Sequence, residues 1–185
     1  MNTADIFAPV STTDDYAHAT TAGDEAHATT TGAYAHAATA GDYAHATTTG
    51  DYAHATTTGA YAQAATAGRL TYATTTGIFA HATTAGSDAH ALTAGYSAHA
   101  TTAGDHAHAT ATGNHAHASV SGENSIAAAF GANSAARAAN GGFLVLAQYD
   151  EDTVVAVKTA QVGRDGIKPD TWYRLDATGE FVEAE

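Results

Sequence analysis

The chain has 185 residues, 44% of them apolar, but only five Phe, one Met and one Trp, so alanine supplies much of the apolar content and a wide globular core is not expected. Six Lys plus Arg against nineteen Asp plus Glu leave a formal charge of −13, which argues against a nucleic-acid backbone or an anionic membrane surface as partner. The absence of cysteine removes disulfide frameworks, thiolate metal sites and cysteine nucleophiles.

Residues 1–13 read as an N-terminal arm or a first coil, and Pro9 argues against a central strand there. Met1–Val10 (MNTADIFAPV) has no basic stretch and no long apolar segment. No apolar run in the chain approaches about 18 residues, so neither a Sec signal nor a membrane span is expected. From Gly23 to Gly131 a glycine recurs every nine residues, with Asn140 in the following slot, and the array covers residues 14–140. One unit, Asp51–Gly59, reads DYAHATTTG. Alanine favours a helix by propensity, but a glycine in every nine residues combined with Thr-Thr pairs opposes one. A short strand plus a corner, the unit of a β-solenoid, suits the period. The Gly-Gly-x-Gly-x-Asp turn of calcium-binding β-rolls is absent, so calcium is not expected.

Side chains alternate along a strand, which puts Ala17, Ala19 and Thr21 on one face and Tyr16, His18 and Thr20 on the other. The slot four before each glycine is always Ala, and the slot six before is Ala except at Thr71 and Ser125. Such uniformity indicates a place where only small residues fit, so the Ala/Thr stripe is expected inside. The slot seven before glycine runs through Tyr16, Glu25, Leu70, Asp88 and Asn124, a tolerance expected at a solvated surface. A competing signal is that every third unit lacks Thr three places before its glycine, at Ala38, Ala65, Leu92 and Ser119. That superperiod of 27 residues admits three units per coil, whereas a flat coil uses two. A triangular coil with Ala pointing inwards would leave a costly void, so the flat form is favoured.

After Gly122 the repeat decays, and Ile126 and Phe130 read as bulkier apolar residues closing the stack. Gly141-Gly142 marks a boundary. Beyond it Phe143–Tyr149, Thr153–Val162, Thr171–Leu175 and Glu180–Val182 read as strands of an antiparallel cap with Trp172, Tyr173 and Phe181 in a small core; Asp150-Glu151-Asp152 reads as a solvated turn. The expected architecture is all-β: an arm or first coil over 1–13, a β-solenoid of nine-residue repeats over 14–140 with two or three repeats per coil, and a small antiparallel β cap over 141–185. Repeats of the form Gly-Asp-x-x-Ala-x-Ala-Thr, decaying through Asn124-Ser125-Ile126-Ala127 into Gly142–Ala147 (GFLVLA), Val154–Lys158 (VVAVK) and Ile167–Leu175 (IKPDTWYRL), resemble repeat proteins common in phage and prophage genomes. The resemblance spans nearly the whole chain and is most specific at Ile-Lys-Pro-Asp-Thr-Trp-Tyr. It implies a capped β-solenoid in a viral context, in the host cytoplasm or the virion, and it implies no activity. The histidines depart from the pattern, since the family's repeats carry small residues there.

Histidine is the main chemical feature. His18, His27, His36, His45, His54, His81, His90, His99, His108 and His117 occupy the slot five before glycine, and Gln63, Tyr72 and Ile126 fill the others. His106 and His115 add two His-Ala-His pairs expected on one strand face. Stacked at about 4.8 Å per rung these positions become ladders. They are the candidate ligands for a divalent transition metal such as zinc, copper or nickel, although no carboxylate or Cys completes a site and a repeat-borne surface residue accounts for the same pattern. No required cofactor and no catalytic constellation is expected, because a uniform array lacks singular, differently tuned residues. Thr-x-Thr pairs such as Thr56/Thr58 raise ice binding, but they skip units irregularly. The leading expectation is a non-enzymatic homo-oligomeric rod presenting a Tyr/His/Thr face to a protein or glycan. The alternatives are an acidic decoy that inhibits a host factor and metal sequestration on the His ladder.

Overall fold

The computed structural model describes residues 9–184, and no helix occurs among them. The part of the expected arm that falls on residues 1–8 lies outside the described residues. The strands are β1 (Val10–Thr12), β2 (His18–Ala22), β3 (His27–Thr31), β4 (His36–Ala40), β5 (His45–Thr49), β6 (His54–Thr58), β7 (Gln63–Ala67), β8 (Tyr72–Thr76), β9 (His81–Ala85) and β10 (His90–Ala94). They continue with β11 (His99–Ala103), β12 (His108–Thr112), β13 (His117–Val120), β14 (Ile126–Ala129), β15 (Ala135–Ala138), β16 (Phe143–Asp150), β17 (Thr153–Gln161), β18 (Tyr173–Leu175) and β19 (Phe181–Glu183).

Alternate strands pair in parallel. The first sheet runs β1-β3-β5-β7-β9-β11-β13-β15-β18-β19, and the second runs β17-β16-β14-β12-β10-β8-β6-β4-β2. Within the array each residue sits beside the one 18 positions on, as Ala37 beside Ala55 and Ala55 beside Ala73. Two units therefore make one coil, and about eight coils stack into a flat β-solenoid. Alanine and threonine are small enough for two sheets to close directly on each other, whereas three sides would enclose an unfilled centre. The 27-residue superperiod is not a coil. Its Thr-lacking positions fall alternately on the two sheets, Ala38 and Leu92 on the second, Ala65 and Ser119 on the first.

The core consists of three inward rows. Ala26, Ala35, Ala44 and Ala53 belong to one and Ala28, Ala37, Ala46 and Ala55 to the next, all fully buried, while Thr30, Thr48, Thr57 and Thr75 form the third. The alternation read from the sequence is the one adopted. Where the outer Ala row is broken the hydroxyl is satisfied: Thr71 Oγ1 donates to the Gly68 carbonyl at 3.2 Å, and Ser125 Oγ accepts from the Ala107 N–H at 3.1 Å. The inner threonines differ. Thr30, Thr39, Thr48, Thr57, Thr75, Thr84, Thr93 and Thr102 each bury Oγ1 without a hydrogen-bond partner in the protein. Val120 occupies the same slot at 1% exposure. Replacing Thr57 by Val keeps the shape and removes a buried unpaired hydroxyl, so it is expected to stabilise the fold by about 1 kcal/mol. Chemical denaturation checks this, and a loss of stability would show that the hydroxyl is satisfied.

Each corner has two specialised positions. The repeat glycines take φ between 125° and 152° from Gly23 to Gly113, a region open to residues without Cβ. The residue two places on, such as Tyr16, Glu25, Tyr34 or Tyr52, is left-handed at φ near 59°. Its N–H donates across to the next coil, as Tyr16 does to the Ala33 carbonyl at 2.8 Å. The solvation read for this slot holds, with Tyr16 67% and Tyr43 52% exposed, and the structure adds that the slot is a left-handed corner held by inter-coil backbone bonds.

The described first coil contains β1, which pairs with β3 immediately after Pro9. At the other end Val120, Leu144 and Leu146 enlarge the interior. Ile126 and Phe130, expected to plug the stack, lie half-buried on its outer side, because they occupy outward slots. The two C-terminal hairpins form no sheet of their own. β16 continues the second sheet parallel to β14 and turns back as β17, while β18 joins β15 antiparallel and is followed by β19. Tyr173 is buried and Trp172 and Phe181 are partly so, and Asp150-Glu151-Asp152 is an exposed turn.

Candidate functional site

The slot five before glycine opens each strand and points outward, so coil stacking converts it into two columns. On the second sheet His18, His36, His54, Tyr72, His90 and His108 form one uninterrupted stack with ring centroids 4.7 to 5.0 Å apart and interplanar angles of 4° to 11°. Tyr72 therefore extends the histidine column. On the first sheet Gln63 divides the column into His27–His45 and His81–His99–His117. The upper column ends on Trp172, which meets His117 edge-on at 5.1 Å. Arg137 lies 4.8 Å over the Trp172 ring and donates from Nε and Nη2 to Ser119 Oγ at 3.2 and 3.1 Å. Sequence reasoning assigned Trp172 to the cap core and missed this closure, because no local pattern links residue 172 to 117.

The corners carry a second set of ladders. Tyr16, Tyr34 and Tyr52 stack at 5.0 and 4.8 Å, and Tyr43, Tyr61 and Phe79 at 5.0 and 5.2 Å. His106 and His115 occupy the same left-handed corner position, at φ 57° and 59°. They are not strand partners of His108 and His117, as the alternation had suggested, since each strand begins only at the second histidine. The residue after the repeat glycine has its own role. Asp15, Asp24, Asp42, Asp51, Asp105 and Asn114 each accept, through Oδ1, the N–H of the residue 18 positions on, at 2.8 to 3.1 Å.

Face-to-face stacking decides what the imidazoles can do. Their in-plane nitrogens run alongside one another and do not converge, and no group of three His, Asp or Glu able to hold a metal ion occurs among the described residues. Partial burial is the main influence lowering the His36, His45, His54, His81, His90 and His117 pKa values from the usual imidazole range. Neighbouring imidazoles add to it at all of these except His81, and Asp88 partly opposes it at His90. His99, half-buried between His81 and His117, is lowered to about 4 by burial first and then by those two neighbours. Such histidines are neutral in the fold while an unfolded chain takes up protons near pH 6.5. Their unfavourable contribution is absent above pH 6.5 and grows as pH falls from there towards about 4. The thermal midpoint is expected to fall over that window and to fall less in His99→Gln; equal pH slopes in the two proteins would remove His99 as a source.

The fold and these columns define a two-sheet β-solenoid carrying aromatic and imidazole ladders. Comparison with known protein families, curated proteins and solved structures finds no match. No helix among the described residues is long and apolar enough to cross a membrane.

Proposed function

We propose that the chain is a non-enzymatic interaction rod of phage type, which presents the outer Tyr/His/Thr face of its second sheet to a protein partner. The supporting observation is the six-ring column from His18 to His108, a straight row of polar ring edges at 4.7 to 5.0 Å intervals on a rigid alanine core. Leu92, 42% exposed, lies beside Tyr72, His90 and His108 and gives the row an apolar contact point. A protein fits this face better than a glycan does, because sugar rings pack against aromatic faces and the faces here are occupied by neighbouring rings. The acidic-decoy alternative ranks lower, since the repeat aspartates direct an oxygen into the inter-coil bonding. Ice binding ranks lower still, because both sheets have interrupted Thr rows.

The test compares the wild-type chain with a His54→Ala/Tyr72→Ala/His90→Ala variant in quantitative affinity capture from infected host cells, after confirming that both fold. A partner enriched on the wild type and lost on the variant is expected. Equal enrichment would overturn the assignment of the face, and a basic partner held equally by both and released by moderate salt would favour the decoy.

A further inference from the structure

The C-terminal edges of the two sheets differ in a way the repeat does not require. β17 is the last strand of that sheet and pairs only with β16, so one of its edges is free. It is nine residues long, contains no Pro and a single charge, Lys158, and exposes Val154, Val155 and Val157 at 49%, 53% and 54%. A long, apolar, unpaired edge is the feature proteins normally suppress with charge, proline or brevity. The first sheet shows that suppression: β19 has three residues, follows Glu180 and ends in Glu183. The difference between the two edges suggests that β17 is kept available for pairing.

We propose that two copies of this chain join end to end by antiparallel pairing of their β17 edges. Charge selects this occupant. The acidic tip Asp150-Glu151-Asp152 precedes β17, whereas residues 153–164 carry Lys158 and Arg164 and no acid. A two-fold axis at Val157 places Val155 of one copy opposite Thr159 of the other and brings each acidic tip to the other copy's Arg164 end. The strand is thus complementary to itself when reversed, as an isologous contact demands. The arrangement also extends the second sheet in line and directs the two strongly acidic solenoids away from each other, whereas side-by-side contact would oppose their charge.

This inference is independent of the partner-binding face, which lies on the outer surface of the sheet and stays open in the dimer. Sedimentation of the full chain is expected to give twice the 18.6 kDa chain mass, and small-angle scattering a maximum dimension close to double that of one copy. Val157→Lys, at an exposed position that leaves the β16 pairing intact, is expected to give the single-chain mass with an unchanged β-sheet spectrum. Lys158→Glu/Arg164→Glu and Asp150→Lys/Glu151→Lys/Asp152→Lys should each weaken the dimer alone and form it again when mixed. A single-chain mass for the wild type at all concentrations would overturn the proposal. So would a dimer with an unchanged maximum dimension, or failure of the mixed charge variants to pair if Val157→Lys does not fold.

Discussion

Replacing Ala55 by Leu is expected to destabilise the protein by about 3 kcal/mol, the upper end of the usual overpacking cost. Ala55 is 1% exposed, lies between Ala37 and Ala73 in its own sheet, and faces another alanine row across a two-layer interior. A leucine there has no space to turn into, and pushing the sheets apart in one coil strains the coils on either side. The thermal midpoint should drop by roughly 6–12 °C for a chain of this size. Tyr52→Ala is the internal comparison: Tyr52 is 38% exposed and stacks on Tyr34, a contact worth about 0.5–1.5 kcal/mol. A larger loss from Tyr52→Ala than from Ala55→Leu would reverse the assignment of inside and outside.

Gly59→Ala should be at least as damaging, although it adds only a methyl group. A Cβ at Gly59 would meet the carbonyl oxygen and carbon of Gly41 in the neighbouring coil, and both are backbone atoms that cannot rotate away. Gly59 also holds φ at 143°, where a side chain is strained by about 1–3 kcal/mol before any clash is counted. The corner must therefore open, and the bond from the Gly59 N–H to the Thr76 carbonyl at 2.9 Å is lost with it. The next residue predicts the opposite sign. Ala60→Asn places an amide oxygen where Asn114 and the repeat aspartates bond the following coil, and it should stabilise by about 0.5–1.5 kcal/mol. Denaturation of the pair checks both, and a tolerated Gly59→Ala beside a neutral Ala60→Asn would show that the corners do not carry the inter-coil contacts described.

The pH response depends on residues far apart in the sequence. The His99 pKa is lowered so strongly first because its ring is half-covered in the column, and then because the residues 18 before and 18 after it are also histidines. The same spacing joins Tyr72, which looks like an interruption in the sequence, into the ring stack of its neighbours. It leaves Gln63 as a true break on the opposite sheet, since an amide side chain offers no ring.

The nine-residue glycine period, the invariant alanine slots and the alternation of side chains were enough by themselves to determine an all-strand coil, its inward Ala/Thr stripe and its outward Tyr/His/Thr stripe. Each of these follows from local geometry: a strand turns successive side chains to opposite faces, and a thin interior admits only small ones. Tertiary structure decided the number of units per coil, because pairing 18 residues apart removes the central void that pairing 27 apart would leave. It also decided which rings touch. It showed that the variable corner residue is left-handed, that the repeat aspartates bond the next coil, and that Trp172 and Arg137 close the His117 column. It placed β16 in the solenoid's own second sheet and left the β17 edge free. The contacts among these join residues 17 or more apart in the chain, and their partners are set by how the coils stack and not by any local run of sequence.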